Sequence, residues 1–298
     1  MPTSERSRLK KSFPQTVSPH WRADHSTTVW MWKKSIGLFP IVSIALVFYF
    51  IQAFQVLAFS IVCGALYEYL FSKVYQRKFW VADGSTFLSC ILFASLLPFK
   101  TPAVVILVGT FFVVVIGAEC FGGLGQNLFQ SALVGQAAVF ILFPEQTQAF
   151  RAFESSFEVT SPIHTWLLNS RALSISQVSI IGVILGAIYL INRKLIPWQI
   201  PLTFILTVWV LTMFVDGNSW HGVLSSGVLF GGFFLLPDSA GCPITTAGRI
   251  LFSIIAGTLV VIFNRSLSSV EALTYSILLV NSVTPLLDRY LQPRHALS

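Results

Sequence analysis

Residues 121–135 read FGGLGQNLFQSALVG, a glycine-rich stretch between two apolar segments of the chain. It carries the polar side chains of Gln126, Asn127, Gln130 and Ser131. Non-helical backbone at membrane depth leaves N–H and C=O groups unpaired, and it is tolerated only where protein or a water-lined cavity covers it. Membrane proteins place binding sites at such breaks. The stretch therefore predicts either a functional loop or a tight turn between closely packed helices.

The composition of the whole chain is typical of a helical membrane protein. Of its 298 residues, 54% are hydrophobic and 10% are charged, and the mean hydropathy is +0.75. These values exclude an ordinary soluble domain. The net charge of +7 does not indicate nucleic-acid binding, because the basic residues lie at the ends of apolar segments. The four cysteines form no CxxC pair, so we predict buried apolar residues rather than a disulfide framework or a zinc site.

Apolar segments of sufficient length predict an all-α polytopic membrane protein with about ten transmembrane helices. With the N-terminus in the cytoplasm, most Lys and Arg residues fall on the cytoplasmic side, which is the bias expected of a bacterial inner-membrane protein with both termini inside. The first thirty residues lack the apolar region of a cleavable signal peptide. The predicted spans are 36–51, 54–71, 84–98, 102–119, 130–143, 175–192, 197–215, 220–236, 248–264 and 268–286.

A weak internal repeat divides these spans into two sets. The third span begins near residues 83–84 (DG) and ends at 96–98 (LLP), and the eighth begins near 216–217 (DG) and ends at 235–237 (LLP). Each is third in a set of five, and an odd number of spans inverts the second set relative to the first. Chance recurrence of two short patterns is the alternative. We predict a basic cytoplasmic arm, a five-helix repeat, an external linker loop, a second five-helix repeat and a cytoplasmic tail at residues 1–32, 33–143, 144–174, 175–287 and 288–298.

The glycines of the first break suit a binding loop. Gly122, Gly123 and Gly125 permit positive φ and let another group approach the backbone closely. Asn127 and Gln130 can then bond a polar heterocycle or backbone groups. The pattern is not a dinucleotide fingerprint, because it has no third glycine at the required offset and no preceding strand.

A second polar break, LPDSAGCPITT at residues 236–246, lies between spans eight and nine. In the predicted topology both breaks are on the cytoplasmic side, so they can meet and form a pocket that includes Asp238, Thr245 and Thr246. The alternative is a pair of ordinary turns, with Asp238 and Thr245 capping a helix. The carboxylates of Asp83, Glu119 and Asp216 are further candidates, but they lie at segment ends where water can solvate them.

Several motifs in sequence order resemble the RnfD/NqrB family, whose members are membrane subunits of the Rnf electron-transport complex and of the sodium-pumping NADH:quinone reductase. The resemblance covers most of the chain, and its most specific part is FGGLGQN at residues 121–127. The other matching motifs are SPH at 18–20, DGS at 83–85 with LP at 97–98, WQIP at 198–201, Pro237-Asp238 with Pro243 and Thr246, and Asn281 with Pro285 and Asp288.

The resemblance implies a fold of ten helices in two inverted halves, similar to urea-transporter-like channels. It also implies a membrane flavoprotein subunit of an ion-pumping oxidoreductase, which passes electrons between other membrane and cytoplasmic subunits. A flavin (riboflavin or FMN) would perform the redox step, while the protein would orient it and tune its electrostatic environment. The resemblance thus implies a component of a translocase rather than an enzyme alone.

The chain departs from the family pattern where the family attaches FMN covalently to a threonine. The corresponding residues 159–165 read VTSPIHT, in which Thr160 and Thr165 are only weak substitutes. We therefore expect no covalent FMN, and predict a noncovalent flavin near Gly122, Gly123, Gly125, Asn127, Gln130, Ser131, Asp238, Thr245 and Thr246. The alternatives are a small-solute transporter or channel on the same fold, or a scaffold subunit without cofactor. The basic arm could dock a cytoplasmic subunit or anionic lipid, or serve only as a topology determinant.

Overall fold

A computed structural model describes residues 27–74, 84–123, 126–155, 172–216, 226–237 and 241–291. Within these residues the secondary structure is helical, apart from one isolated β-bridge between Pro98 and Ser174. The helices are α1 (Thr27–Phe48), α2 (Phe50–Val74), α3 (Ser85–Leu96), α4 (Ala103–Phe111), α5 (Ser131–Leu142), α6 (Pro144–Ser155), α7 (Ile180–Asn192), α8 (Gln199–Asp216), α9 (Ser226–Phe230), α10 (Thr246–Phe263) and α11 (Ser269–Leu291).

The lengths and composition of these helices are those of a multi-pass membrane protein. Among the described residues, five helical segments are long and apolar enough to cross a bilayer, and four shorter apolar helices accompany them. The 12 residues of α3 reach only about 18 Å, whereas the hydrocarbon core is about 30 Å thick. A helix of this length does not cross such a core by itself. The predicted span 220–236 falls partly outside the described residues, so the count of ten spans stays a prediction. The five long segments are Thr27–Phe48, Phe50–Val74, Ala103–Phe121, Thr246–Phe263 and Ser269–Leu291.

The helix ends lie on two sides of the bundle. On one side, the Lys34 ammonium donates to the carbonyl oxygen of Pro237 over 3.5 Å. On the other, the rings of Tyr49 and Phe99 stack with centroids 4.6 Å apart, and the Phe99 N–H donates to the carbonyl of Leu173. We call the first the basic side, because the helix ends there carry Lys33, Lys34, Lys73, Arg193, Lys194, Arg249 and Arg289.

Helices α1 and α7 cross at very short range. A Cβ atom at Gly186 would overlap the Gly37 carbonyl oxygen and lie 2.7 Å from the Phe234 ring, and one at Gly182 would lie 2.9 Å from the Cα of Ile41. Residues 182 and 186 form a Gly-x-x-x-Gly pair, which lets two helix backbones approach. This contact joins the first half of the chain to the second.

The segment predicted as an external linker loop, 144–174, begins with a helix. Helix α6 buries Phe150 fully, and its Arg151 approaches the Glu271 carboxylate at the start of α11, with N···O 3.3 Å. The hydroxyl of Thr101 donates to the Gln146 side chain over 3.2 Å. These contacts fasten the start of the linker to both halves. Helix α1 begins at Thr27, within the predicted arm 1–32, and α11 ends at Leu291, within the predicted tail 288–298.

Candidate site between two polar loops

The first break, here called the glycine loop (residues 117–130), follows a π-helical turn. The turn spans Phe112–Ile116, and the Gly117 N–H donates to the Phe112 carbonyl over 2.8 Å. A short 3-10 turn, Glu119–Phe121, comes next, and then Gly122 and Gly123 have φ angles of 106° and 90°. These values favour glycine, so both residues adopt the positive φ that the sequence predicted. π-Helical turns interrupt α-helices frequently at functional sites.

Two of the polar side chains proposed as cofactor ligands hold the glycine loop itself. The Ser131 hydroxyl donates to the Gly117 carbonyl over 3.1 Å. The Asn127 amide, oriented so that its nitrogen faces acceptors, donates to the carbonyls of Gly123 (3.0 Å) and Ala118 (3.1 Å). The Asn127 bonds add to backbone bonds that these two carbonyls already accept from the Gly123 and Gln126 N–H groups, and so stiffen the loop. A ligand would have to compete with them for the same amide and hydroxyl.

The second loop (residues 236–245) also follows a π-helical turn, Gly231–Leu235, which the Leu236 N–H closes by donating to the Gly231 carbonyl over 2.8 Å. At the other end, the Thr245 hydroxyl accepts from the Gly248 N–H over 3.1 Å and caps α10. Thr245 therefore has the capping role that the sequence allowed, while Thr246 is exposed at the first position of the helix.

Helix α11 fixes the middle of the second loop. The Thr284 hydroxyl donates to the Gly241 carbonyl over 2.8 Å, and the Ile244 N–H donates to the Asp288 carboxylate over 2.9 Å. Residues 284 and 288 are four apart, so they share one helix face. Asn281, one turn earlier, packs against Gly241. The polar residues near the end of α11 thus position this loop.

A small cavity lies beside Lys34, the residue that links the glycine loop to the second loop. Gln130, the last residue of the glycine loop, lines this cavity together with Lys34. The Lys34 ammonium bonds the second loop at Pro237 and lies 3.9 Å from the centroid of the Trp30 ring. The cavity has a volume of about 20 Å³, which is room for one water molecule and far too little for a flavin. Its apolar walls are Leu88, Leu92, Leu190, Ile196, Phe233 and Phe234.

A much larger space lies beside the glycine loop, in a lateral groove between α5 and α11. Its volume is about 820 Å³, within the range of small-molecule sites. Phe121 and Phe129 of the glycine loop border it, with their rings edge to face and 6.1 Å apart. Tyr275 and Ser282 are the polar residues on its α11 wall, and the remaining lining is apolar. This lateral groove can accept an apolar or aromatic group, but it offers few polar partners.

Nothing in the sequence indicated that Lys34 belongs to this site, because it is one of many basic residues at the ends of apolar segments. Its burial, with 8% of its surface exposed, depends on the second loop, 203 residues away. The Gly182–Gly186 pair was also missed, although its spacing in an apolar helix is a recognised packing signal. Among the predicted residues, Gly125, Asp238, Thr160 and Thr165 lie outside the described part of the chain.

These features define a polytopic helical membrane protein in which two broken helices converge near one membrane surface. The family model described as "NQR2, RnfD, RnfE family" matches residues 15–296, and the chain belongs to that family. It is 30% identical to the D subunit of the proton-translocating ferredoxin:NAD(+) oxidoreductase complex of Clostridium ljungdahlii, over 95% of this chain and 96% of that protein. The D subunit of the corresponding Na(+)-translocating complex of Acetobacterium woodii is 29% identical, over 93% of each chain. The D subunit of the ion-translocating oxidoreductase complex of Methanosarcina acetivorans is 28% identical, over 95% of this chain and 96% of that protein.

Proposed function

We propose that this chain is the membrane-embedded subunit of an ion-translocating electron-transfer complex, in the place that the D subunit takes in its relatives. The observation that carries the proposal is the extent of the similarity, which covers 95% of the chain and 96% of the relative from C. ljungdahlii. A match over both whole chains includes the loops and helix ends that would contact other subunits, as well as the apolar helices. The partners of this chain are then the other membrane and cytoplasmic subunits of such a complex.

The helix packing supports the further proposal of two inverted halves with a urea-transporter-like arrangement. In the first half α2 packs against α3 and α4, and in the second half α8 packs against the Gly231–Leu235 turn and α10. Between the halves, α1 contacts α7 and α5 contacts α11. These contacts are those expected of a pseudo-two-fold axis that relates α1 to α7, α2 to α8, and so on to α5 and α11. The contacts of α2 then recur as those of α8, and α1–α7 and α5–α11 are contacts between equivalent helices. The basic side would face the cytoplasm of a bacterial cell.

We place the noncovalent flavin of this proposal in the lateral groove rather than between the two loops. Two observations support that location: the cavity at Lys34 holds about one water, whereas the groove measures about 820 Å³ and is bordered by the glycine loop. Phe121 and Phe129 supply aromatic edges against which a flavin ring can pack. The flavin prediction is tested by absorbance: flavin should be released when the purified complex is denatured. Replacement of Ala138 in the groove by Trp should reduce the amount of flavin bound. A flavin-free complex would contradict the proposal that this chain binds a flavin.

The membership in a complex is tested by isolating the full chain with an affinity tag from its own membranes in mild detergent. We expect membrane and cytoplasmic redox subunits to be recovered in constant ratio to it. Recovery of the chain alone, together with uptake of a small solute by proteoliposomes that contain only this protein, would support a transporter instead. Recovery of the chain with the redox subunits but without flavin would refute only the proposal that it binds a flavin.

A further inference from the structure

The contact between α1 and α7 is here called the seam. Its end on the basic side carries a group of cations that the proposed electron-transfer role does not use. On α1, Lys33 lies one turn before Gly37, and Gly37 and Ile41 contact α7. Residues four apart share a helix face, so Lys33 belongs to the seam-facing stripe of α1. On α7, Gly182, Gly186 and Leu190 form the matching stripe, and Arg193 and Lys194 follow at its end.

The cations on the two helices lie at the same level. Gly37 packs against Leu190, and Lys34 shares its small cavity with Leu190 and Ile196. The turn that contains Arg193 and Lys194 is therefore beside the first turns of α1. Arg193 and Lys194 are exposed, and Lys33 is half-buried. No acidic partner of these three residues lies among the residues that the structure describes.

Lys194 adopts a backbone conformation that a lysine ordinarily avoids. Its φ is 55°, and in the described part of the chain it is the one non-glycine residue with positive φ. It occupies the left-handed position of a Schellman turn, in which the Leu195 N–H donates to the Leu190 carbonyl and the Lys194 N–H to the Ile191 carbonyl. Glycine fits this position without strain, so the turn alone does not explain a lysine there.

Aromatic side chains surround these cations in the manner of a membrane interface. The Arg193 guanidinium lies 5.9 Å from the centroid of the Tyr189 ring. Trp198, at the start of the next helix, is 56% exposed, and Trp30 lies on α1 against Lys34. Tyr and Trp prefer the headgroup level of a bilayer. Cations at that level, with no acidic partner among the described residues, attract anionic headgroups.

We propose that this end of the α1–α7 seam binds the phosphate of an anionic phospholipid through Lys33, Arg193 and Lys194. The lipid would bridge the two halves of the protein at the place where their backbones are closest. At the headgroup level of a bilayer, the anion available to this site is a lipid phosphate. The acyl chains of the same lipid would lie along the apolar flanks of α1 and α7. The exposed apolar residues of those flanks include Ile36, Phe39, Ile184 and Ile188.

The test is native mass spectrometry of the full chain in detergent, titrated with phosphatidylglycerol or with phosphatidylcholine of the same acyl chains. The variant Arg193→Gln/Lys194→Gly should lower phosphatidylglycerol affinity about tenfold or more, because each cation contributes separately. The matched control is Lys73→Gln/Arg289→Gln, which removes two exposed cations from the same side and should leave that affinity within about twofold.

A single substitution separates binding from structure. Lys194→Gly should raise the melting temperature, because glycine relieves the positive φ, and should lower phosphatidylglycerol affinity. Equal losses in the two double variants, equal affinity for the two lipids, or unchanged lipid affinity in Lys194→Gly would each overturn the proposal. Loss of a protein partner from the Arg193→Gln/Lys194→Gly complex, with lipid affinity intact, would overturn it in favour of a protein docking surface.

Discussion

Substitution of Gly186 by alanine tests whether the two halves depend on the close α1–α7 crossing. The added Cβ would overlap the carbonyl oxygen of Gly37 and lie 2.7 Å from the Phe234 ring. A backbone oxygen cannot rotate away, so the helices have to separate. Overpacking of this kind costs about 1–3 kcal/mol, and the higher helix propensity of alanine offsets about 1 kcal/mol. We therefore expect a net loss of up to about 2 kcal/mol of unfolding free energy.

The matched control is Gly37→Ala on the opposing helix. Its Cβ would lie 2.7 Å from a methyl carbon of Leu190, and this flexible side chain can move aside. The cost should then be close to the gain in helix propensity, so the net change should be near zero. The assay is the melting temperature of the detergent-purified protein, followed by size-exclusion chromatography. Gly186→Ala should melt a few degrees lower than Gly37→Ala, and equal or higher stability of Gly186→Ala would refute the reasoning.

Four further substitutions probe the contacts that hold the loops and the linker. Glu271→Ala should lower the unfolding free energy by about 1–3 kcal/mol, since the buried carboxylate accepts two hydrogen bonds at the start of α11. Arg151→Gln should cost under about 1 kcal/mol, because that side chain is half exposed. Thermal melts of the two variants measure this difference. Thr284→Val should cost about 1 kcal/mol and speed proteolytic cleavage within the second loop, because it removes that loop's 2.8 Å bond to α11. Lys34→Met should accelerate amide exchange in both loops, and protection equal to that of the original protein would show that Lys34 does not connect them.

The apolar helices were predictable because their signal is local. The ninth predicted span, 248–264, corresponds to α10 (Thr246–Phe263), whose apolar run follows a capping threonine. The positive φ at Gly122 and Gly123 also follows from residue type, since glycine alone adopts such angles without strain. For these elements, composition and spacing carried enough information.

The site required contacts between distant residues. Lys34 looks like any interfacial lysine in the sequence, and only the second loop makes it a buried contact. Gly182 and Gly186 indicate a close helix partner, but their spacing does not say which helix it is. Asn127 and Ser131 stay predicted ligand residues, but the sequence did not indicate that both also bond carbonyls of the loop, Ser131 through its hydroxyl and Asn127 when its amide nitrogen faces them.

The start of the linker was predicted as a loop because it contains no continuous apolar run. Helix α6 is amphipathic, with a buried Phe150 on one face and charged residues elsewhere, so it has no continuous apolar run. Its place was set by contacts with Thr101 and Glu271, on two other elements. Such pairings are visible only once the helices have been assembled.

The most direct test of the proposed function is electron transfer in membrane vesicles from cells that lack this gene. The relatives are named as subunits of ferredoxin:NAD(+) oxidoreductase complexes, so the measured rate is NAD(+) reduction by reduced ferredoxin, together with the ion gradient that forms. We predict that both signals are lost in the deletion strain and restored by the full chain. Unchanged NAD(+) reduction and ion uptake in the deletion strain would contradict the proposal that this chain belongs to such a complex.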